Sequence, residues 1–239
     1  MNRALYAAAS GMAAQQQNLD VIAGNLANAD VPGFKAATAV FSVIGRDVPL
    51  GTSSAGTHCI FSQGKLMKSG GPFDVALDGR GFFVVERGRE RAYTRAGSFS
   101  RAADGALENN EGWRLAGVRI PNDATDVRVD GDGHVKVTRT GNRANAAGQI
   151  RIAAFDAPEA LRTIGSSLFS ATSASGPPRS LHVGTLHGTK VVFGMLERSN
   201  VSIVEAMMQI LTAQRAYEAN AKGVQAADEM LRIANNLHR

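Results

Sequence analysis

Cysteine is nearly absent from this sequence, in which Cys59 is the only one among 239 residues. Neither an intrachain disulfide nor a cysteine-based zinc site can therefore form within the chain. No apolar run reaches the length of about eighteen residues that a membrane-spanning helix needs. The N-terminal stretch MNRALYAAASGMAAQQQNLD carries Gln and Asn where a signal peptide needs an apolar run and a cleavage site, so we expect no cleaved signal peptide.

Aromatic residues are also scarce, at 6% of the chain. The net charge of +5 raises nucleic acid or an acidic membrane as possible partners. However, the densest basic stretch, ERGRERAYTRAGSFSR, alternates arginine with glutamate, glycine and small residues. It contains neither an aromatic stacking platform nor a run of lysine and arginine. We therefore expect a solvated hairpin there and no nucleic acid partner.

The residue patterns of catalytic and metal sites are missing as well. No pair of histidines has HExxH spacing, and His182 and His187 would point to opposite faces of a strand. The stretch DGDGHV lacks the ligand spacing and the closing glutamate of a calcium loop, and no serine lies in a GxSxG elbow. We expect surface or packing roles for the five histidines, which are His58, His134, His182, His187 and His238. We expect no enzyme, no cofactor, no metal and no small-molecule substrate.

What the sequence does contain is a helical pattern at each end. The closing stretch from Ser199 to Arg239 has no proline and a single glycine, Gly223. Apolar residues recur at heptad spacing in both terminal segments, which predicts two long helices that pair as a coiled coil. The predicted seam of the first helix is Leu5, Met12, Leu19 and Leu26, and that of the second is Ile203, Met207, Ile210, Tyr217, Ala221, Val224 and Leu231, with Gln214 and Asp228 as polar interruptions.

Between the helical segments the apolar period changes to two. Short alternating runs such as GFFVVERG and DVRVDGDGHVKV are separated by glycine-containing turns, as expected of an antiparallel β-domain. The predicted fold class is α+β, with the β-rich domain inserted between the paired helices. The predicted division is an N-terminal helix at 1–30, a connector at 31–69, a β-rich middle domain at 70–190 and a C-terminal helical segment at 191–239.

A turn follows the first helix. Asn25 and Asn28 lie where the last helical turn needs partners for its carbonyls, and Pro32 and Gly33 force the chain to change direction. Phe34 can then pack against the helix pair. We predict that this turn and both seams contribute to an assembly interface, because a two-helix hairpin leaves apolar flanks such as Met208, Leu211 and Ile233 uncovered.

Five stretches resemble one known family. NLANADVPGFK resembles the N-terminal signature of flagellar axial proteins, and FSQGKL, DVALDGRGFFVV and AYTRAGSF resemble the β-domain of the basal-body rod and hook family. The stretch SNVSIVEAMMQILTAQRAYEANAKGVQAADEML resembles the C-terminal signature of that family. The matches occur in the family's order and cover both ends and the middle. GFFVV, AYTR and QRAYEANAK are most like the distal rod members, although the segment between Phe41 and Ser62 is shorter than in many of them.

The resemblance implies a non-enzymatic subunit of a helical tube that transmits torque to the hook. It also implies export without a cleaved signal peptide to the flagellar basal body in the periplasm. The implied partners are copies of the chain itself, proximal rod proteins, the hook protein, and periplasmic and outer-membrane ring proteins. A proximal rod subunit remains an alternative assignment. A soluble adaptor whose helix pair captures another protein's helix is the alternative from a different functional class.

Overall fold

A computed structural model of the chain describes residues 3–45, 51–139, 144–165, 167–186 and 188–237. These residues form two compact units. The helical unit contains residues 1–29, 36–60 and 201–239, and the β unit contains residues 30–35 and 61–200. No helix in the described part of the chain combines the length and apolar character needed to cross a membrane.

In the part of the chain that the structure describes, the helical unit consists of two long helices and a hairpin. Helix α1 is Arg3–Ala27 and helix α2 is Ile203–Leu237. Strands β1 (Ala37–Ile44) and β2 (Gly51–Cys59) pair antiparallel and pack against α1. The Ser10 hydroxyl of α1 accepts a hydrogen bond of 3.1 Å from the Thr52 amide at the start of β2. A side chain on the helix therefore fixes one end of the hairpin.

The two helices run antiparallel. Gly11 lies against the side chain of Asn220, and Gly223 lies against Ala8. Residue numbers along α2 therefore increase in the direction in which those along α1 decrease. The most buried apolar residues of the pair are small, with the exception of Ile22. They are Ala14 and Ile22 on α1 and Ala206, Ala213 and Ala227 on α2. Alanine and glycine at the contact let the two backbones approach closely, so α1 and α2 bury little side-chain area against each other.

The described residues of the β unit form sixteen strands, and the pairings among them are antiparallel. Its longest path runs β10-β11-β12-β9-β5-β6-β15-β14, with β13, β16, β7 and β8 attached to it. Separate two-stranded sheets join β4 to β17 and β3 to β18. The strands are β3 Leu66–Lys68, β4 Val75–Asp78, β5 Phe82–Arg87, β6 Glu90–Thr94, β7 Ser100–Arg101, β8 Ala106–Glu108, β9 Arg114–Arg119, β10 Ala124–Val129, β11 His134–Arg139, β12 Ala144–Gln149, β13 Arg151–Ala154, β14 Arg162–Gly165, β15 Leu168–Ser170, β16 Arg179–His182, β17 Lys190–Phe193 and β18 Met195–Glu197. Short 3-10 turns occupy Pro158–Ala160 and Val183–Thr185.

Apolar side chains from many strands form a large hydrophobic core in the β unit. Phe83, Val85, Ile150 and Ile152 are buried in it, and so is Trp113, whose ring centre lies 4.4 Å from the Arg87 guanidinium. A cation over an indole ring adds a favourable electrostatic contact to this hydrophobic packing. Short strands joined by glycine turns thus produce a well-packed domain despite the low aromatic content.

The segment predicted as a connector, 31–69, differs from that expectation. It contains the β1–β2 hairpin and strand β3, and its residues are divided between the two units. The sequence of β2, GTSSAGTHC, has neither the β-branched alternation nor the aromatics that predict a strand. Pairing with β1 and packing on α1 order it instead. The shortening that we expected between Phe41 and Ser62 falls partly on residues 46–50, which lie outside the described residues.

Gly97 provides a test of how tightly the β unit is packed. A Cβ added there would collide with the backbone carbonyl of Val75, whose amide donates a 3.0 Å hydrogen bond to the Gly97 carbonyl. Because backbone cannot move aside as a flexible side chain can, Gly97→Ala should lower the free energy of unfolding by about 1–3 kcal/mol. Urea unfolding measures this loss.

The matched control for this substitution is Gly131→Ala. Gly131 has open space around the position of a Cβ. The control should change the free energy of unfolding by less than about 0.5 kcal/mol. Equal effects of the two substitutions would contradict the packing described for Gly97.

Candidate assembly interface

The structure places the predicted seam residues at the edges of the contact between α1 and α2. The four predicted positions of α1, Leu5, Met12, Leu19 and Leu26, are half-buried. On α2 the fully buried residues Ala206 and Ala213 each lie one position before the predicted Met207 and Gln214. The predicted register between α1 and α2 is therefore wrong by one residue at these positions. The error arises because larger apolar residues were favoured over alanine, whose small side chain is what permits close packing.

The displaced seam residues remain available at the surface of the helical unit. Ile203 is 43% exposed, Met207 53%, Tyr217 39% and Leu231 41%. Ile210 and Val224 are half-buried along the edge of the stripe that faces α1. Val204, Met208 and Leu211 add further exposed apolar surface to the first three turns of α2. Exposed apolar surface of this extent on one helix is typical of a protein–protein interface.

Asn25 and Asn28 bind backbone groups at the end of α1. The Asn28 side chain donates a 2.8 Å hydrogen bond to the Gly24 carbonyl, which satisfies one of the carbonyls left without a helical partner. The buried Asn25 side chain forms two hydrogen bonds with Ala37, donating to its carbonyl at 2.7 Å and accepting from its amide at 2.8 Å. Asn25 therefore joins the end of α1 to the start of β1.

Gly33 and Phe34 belong to the β unit. Gly33 has a φ of +70°, and a Cβ there would collide with the backbone of Arg95 and Ala96. The Gly33 amide donates a 2.7 Å hydrogen bond to the Glu197 carbonyl. Glycine is required at this position by both its conformation and its close approach. Phe34 is half-buried, and its contact with the helix pair stays a prediction.

A buried ion cluster next to Gly33 was missed by the sequence reasoning. The Glu197 carboxylate binds Lys35 Nζ at 2.6 Å through Oε1 and Arg95 Nη1 at 3.3 Å through Oε2. The side chains of Lys35 and Glu197 are 0% exposed, and that of Arg95 is 5% exposed. Lys35 ends the NLANADVPGFK motif and Arg95 lies within AYTRAGSF. Each is a charged residue among small or apolar neighbours, and this pattern in the sequence could have indicated that Lys35 and Arg95 are buried.

Backbone groups complete the coordination of this cluster. Lys35 Nζ also donates to the Ser62 carbonyl at 2.6 Å, and Arg95 Nη2 donates to the Gly79 carbonyl at 2.7 Å. The Gly64 amide donates to Glu197 Oε1 at 2.8 Å. Two cations thus share one carboxylate, and carbonyl dipoles stabilise the remaining positive charge. The cluster connects segments that are far apart in sequence, because Lys35 and Glu197 are separated by 162 positions.

Burial opposes the charged forms of both cations. Loss of hydration lowers the pKa of the Lys35 ammonium, while the Glu197 carboxylate acts in the opposite direction. Burial likewise lowers the pKa of the Arg95 guanidinium, again against the attraction of Glu197. Both cations therefore depend on one anion. The arrangement fixes the positions of three chain segments relative to one another.

Histidines and other potential metal ligands are dispersed. Within the described ranges, no three His, Cys, Asp or Glu side chains lie close enough to hold a metal ion together. His58 and His134 are exposed. Two histidines for which we expected surface or packing roles, His187 and His238, lie outside the described residues.

Replacing Glu197 by glutamine tests the ion cluster. Glu197→Gln removes the carboxylate that Lys35 and Arg95 share and leaves two buried cations uncompensated, so it should cost about 3–5 kcal/mol of unfolding free energy. Lys35→Met keeps the pair of Arg95 and Glu197 and fills the space with an apolar chain, so its loss should be less than half as large. Thermal and urea unfolding measure both values.

The control for this comparison is Glu86→Gln. Glu86 pairs with Arg91 at the surface, with side chains 40% and 54% exposed. Breaking an exposed pair should cost no more than about 1 kcal/mol. A loss for Lys35→Met that exceeded that for Glu197→Gln would refute the central role given to the carboxylate.

The two ends and the middle of the chain each match a described family. Residues 5–35 match "Flagella basal body rod protein", and residues 76–137 match "Flagellar hook protein FlgE/F/G D1 domain". Residues 193–237 match "Flagellar basal body rod FlgEFG protein C-terminal". The first of these ranges contains Gly33 and Lys35, the second contains Arg95, and the third contains Glu197. Each family match therefore includes one charged member of the buried cluster.

Relatives of this chain are similar along its whole length. The flagellar basal-body rod protein FlgG of Borreliella burgdorferi is 38% identical over 264 residues, and the alignment covers 100% of both chains. FlgG of Caulobacter vibrioides is 36% identical, with 98% of this chain and 99% of the relative covered. FlgF of the same organism is 29% identical, with 98% and 97% covered. The chain belongs to the flagellar basal-body rod protein family, and it is a structural subunit of the distal rod rather than an enzyme.

Proposed function

We propose that this subunit polymerises into a helical tube through its terminal helices, and that the tube transmits torque to the hook. The single observation that carries the proposal is the apolar surface that α2 leaves in water, from Ile203 and Met207 near its start to Leu231 near its end. Burial of this surface against neighbouring copies contributes roughly 25 cal/mol per Å². Since every subunit repeats the contact, a modest gain for each copy stabilises the whole assembly.

The proposed interface comprises both helices and the turn after α1. Its members are Leu5, Met12, Leu19, Leu26, Asn25, Asn28, Gly33, Phe34, Ile203, Met207, Ile210, Tyr217, Val224 and Leu231. Coiled-coil pairing of α1 with α2 is part of this proposal. Their antiparallel packing and the heptad spacing of Ala206, Ala213 and Ala227 support it.

The proposed partners follow from a position in the basal body. They are copies of this chain, proximal rod proteins, the hook protein, and periplasmic and outer-membrane ring proteins. The proposed location is the flagellar basal body in the periplasm, reached by export without a cleaved signal peptide. A non-flagellar adaptor is disfavoured because relatives named as rod proteins align with the whole chain.

Limited proteolysis tests how the monomer depends on its neighbours. A helix contact lined with alanine gains little from burial relative to the entropy of ordering both helices, so protease should trim both ends of the dilute monomer. The resistant fragment should retain both Lys35 and Glu197, because the buried cluster holds them in the β unit. Mass spectrometry of the fragment identifies its ends. Survival of the intact chain at low concentration would count against this expectation.

Ile210 tests whether the helical unit drives assembly. Ile210→Asp places a carboxylate in a half-buried apolar position, which costs several kcal/mol where no partner compensates it, on the order of 2–7 kcal/mol. The variant should stay soluble with unchanged melting of the β unit, yet form no rod and leave cells non-motile. Electron microscopy and a swimming assay measure the outcome.

The control for Ile210→Asp is Arg89→Ala, which changes an exposed residue of the hairpin between β5 and β6. Cells carrying the control should swim normally. Normal swimming with Ile210→Asp would show that this face of α2 takes no part in assembly.

A further inference from the structure

The backbone passes between the helical unit and the β unit four times. The passages follow residues 29, 35, 60 and 200, and we call them the four crossings. Backbone tension that arises in the terminal helices therefore enters the β unit at these crossings. How the β unit is bonded at the crossings decides how it responds to that tension.

Residues on the β-unit side of the crossings are bonded to one another. Lys35, just before the second crossing, donates to the Ser62 carbonyl at 2.6 Å, and Ser62 lies just after the third crossing. Asn200, just before the fourth crossing, donates to the Ser62 hydroxyl at 2.9 Å. Lys35 Nζ also binds Glu197 Oε1 at 2.6 Å. The first and last segments of the β unit are thus joined directly, by one buried ion pair.

The two ion pairs at the crossings differ in strength. Asp30, just after the first crossing, pairs with Arg198 at 2.9 Å, but their side chains are 82% and 48% exposed. An exposed pair of this kind contributes little. Lys35 and Glu197 are both 0% exposed, and separating them would leave each charge buried without its partner. The Lys35–Glu197 pair is therefore the stronger of the two ties.

Behind the crossings lie two antiparallel strand pairs, which we call the zipper. Strand β18 pairs with β3, where Glu197 lies opposite Leu66, and β17 pairs with β4, where Lys190 lies opposite Asp78. The hydrogen bonds of an antiparallel pair are perpendicular to its strands. Tension that enters beside Leu66 and Glu197 pulls the two strands apart along these bonds, so it loads them one after another. The zipper by itself would therefore open at low force.

The buried ion cluster lies at the end of the zipper where tension enters. Glu197 is the last residue of β18, and its carboxylate binds Lys35, the Gly64 amide at 2.8 Å and Arg95 at 3.3 Å. Its carbonyl accepts a 2.7 Å hydrogen bond from the Gly33 amide. A pull from the two terminal helices acts on residues 30–35 and 197–200 in opposite directions. It must break these bonds before it reaches the strand pairs.

We infer that the cluster of Lys35, Arg95 and Glu197 is a mechanical clamp that keeps the β unit folded while the terminal helices are under tension. The inference goes beyond the proposed polymerisation, because it concerns a single chain, and its use in the rod rests on the proposed transmission of torque. A purely structural cluster stabilises the fold against unfolding by any route. A clamp acts chiefly against force that enters through the crossings.

Single-molecule pulling on the full chain tests the clamp. With the force applied to the two ends of the chain, Lys35→Met should raise the rate of unfolding of the β unit at constant force roughly 5–30-fold. The reason is that tension then reaches the zipper without first breaking the buried pair. Lifetimes of the folded β unit at a fixed force measure the rate.

The matched control is Ile152→Ala, which shortens a fully buried side chain in β13, outside the zipper. In urea it should destabilise the protein at least as much as Lys35→Met does. Under force applied to the chain ends it should raise the unfolding rate less than Lys35→Met. An equal or larger rise for Ile152→Ala would mean that the rate follows overall stability, which overturns the inference.

A second direction of force separates a clamp from a structural role. Handles on Arg89→Cys and Arg128→Cys, at exposed positions outside the zipper, apply force to the β unit without using the crossings, and Cys59→Ser leaves these as the only cysteines. Along this route Lys35→Met should raise the unfolding rate by a smaller factor than it does between the chain ends. The same factor along both routes would overturn the clamp and leave the proposed polymerisation standing, because single chains are measured. Failure of the unchanged chain to form rods would refute polymerisation and leave the clamp standing.

Discussion

The Glu197 carboxylate joins distant segments of the β unit. It neutralises two buried cations that come from distant parts of the sequence, Lys35 before β1 and Arg95 after β6. The carboxylate and the two cations are each costly to bury, and only the complete set compensates for their lost hydration. The β unit therefore includes a short N-terminal segment and the last strand before α2. A boundary drawn at the ends of the apolar strand pattern, 70–190, would separate the carboxylate from the domain that it stabilises.

The helical unit is stabilised in a different way. Its contact consists largely of alanine and glycine, which allow close approach but remove little apolar area from water. Specific hydrogen bonds, such as those of Asn25 with Ala37 and of Ser10 with Thr52, fix the hairpin to α1. The larger apolar side chains lie outside the contact. This division leaves the β unit with an enclosed core and the helical unit with much of its apolar surface still to be covered.

Several features could be predicted from the sequence because they depend on local patterns. Heptad spacing identified both helices, and period-two alternation with glycine turns identified the antiparallel β structure. Asn28 was predicted to serve the carbonyls at the end of α1, and its side chain binds the Gly24 carbonyl. Local patterns were less informative about which face of α2 packs against α1. The α2 stripe that packs on α1 was assigned one residue too far along at Met207, because hydrophobicity alone does not indicate that alanine lies at the closest contact.

The remaining features depend on contacts between distant segments, which a single sequence does not display. Strand β2 has weak strand propensity and is ordered by its pairing with β1. The cluster of Lys35, Arg95 and Glu197 forms only when three segments converge, and each charge in isolation resembles an ordinary surface residue. Glycine after proline predicts a turn at Gly33 from local sequence alone. The requirement for glycine there also depends on the backbone of Arg95 and Ala96, which packs against Gly33 and leaves no room for a Cβ.

The two cations of the cluster bind main-chain carbonyl oxygens in addition to the carboxylate. Lys35 uses the carbonyl of Ser62, and Arg95 uses that of Gly79. Every residue type presents the same carbonyl, so the cluster places no demand on side-chain identity at these two positions. The restriction at Gly79 comes from its backbone instead, because its φ is +116° and a Cβ there would collide with the Gly188 carbonyl. The cluster therefore restricts the path of the backbone at Ser62 and Gly79. It restricts residue identity at its charged members, Lys35, Arg95 and Glu197.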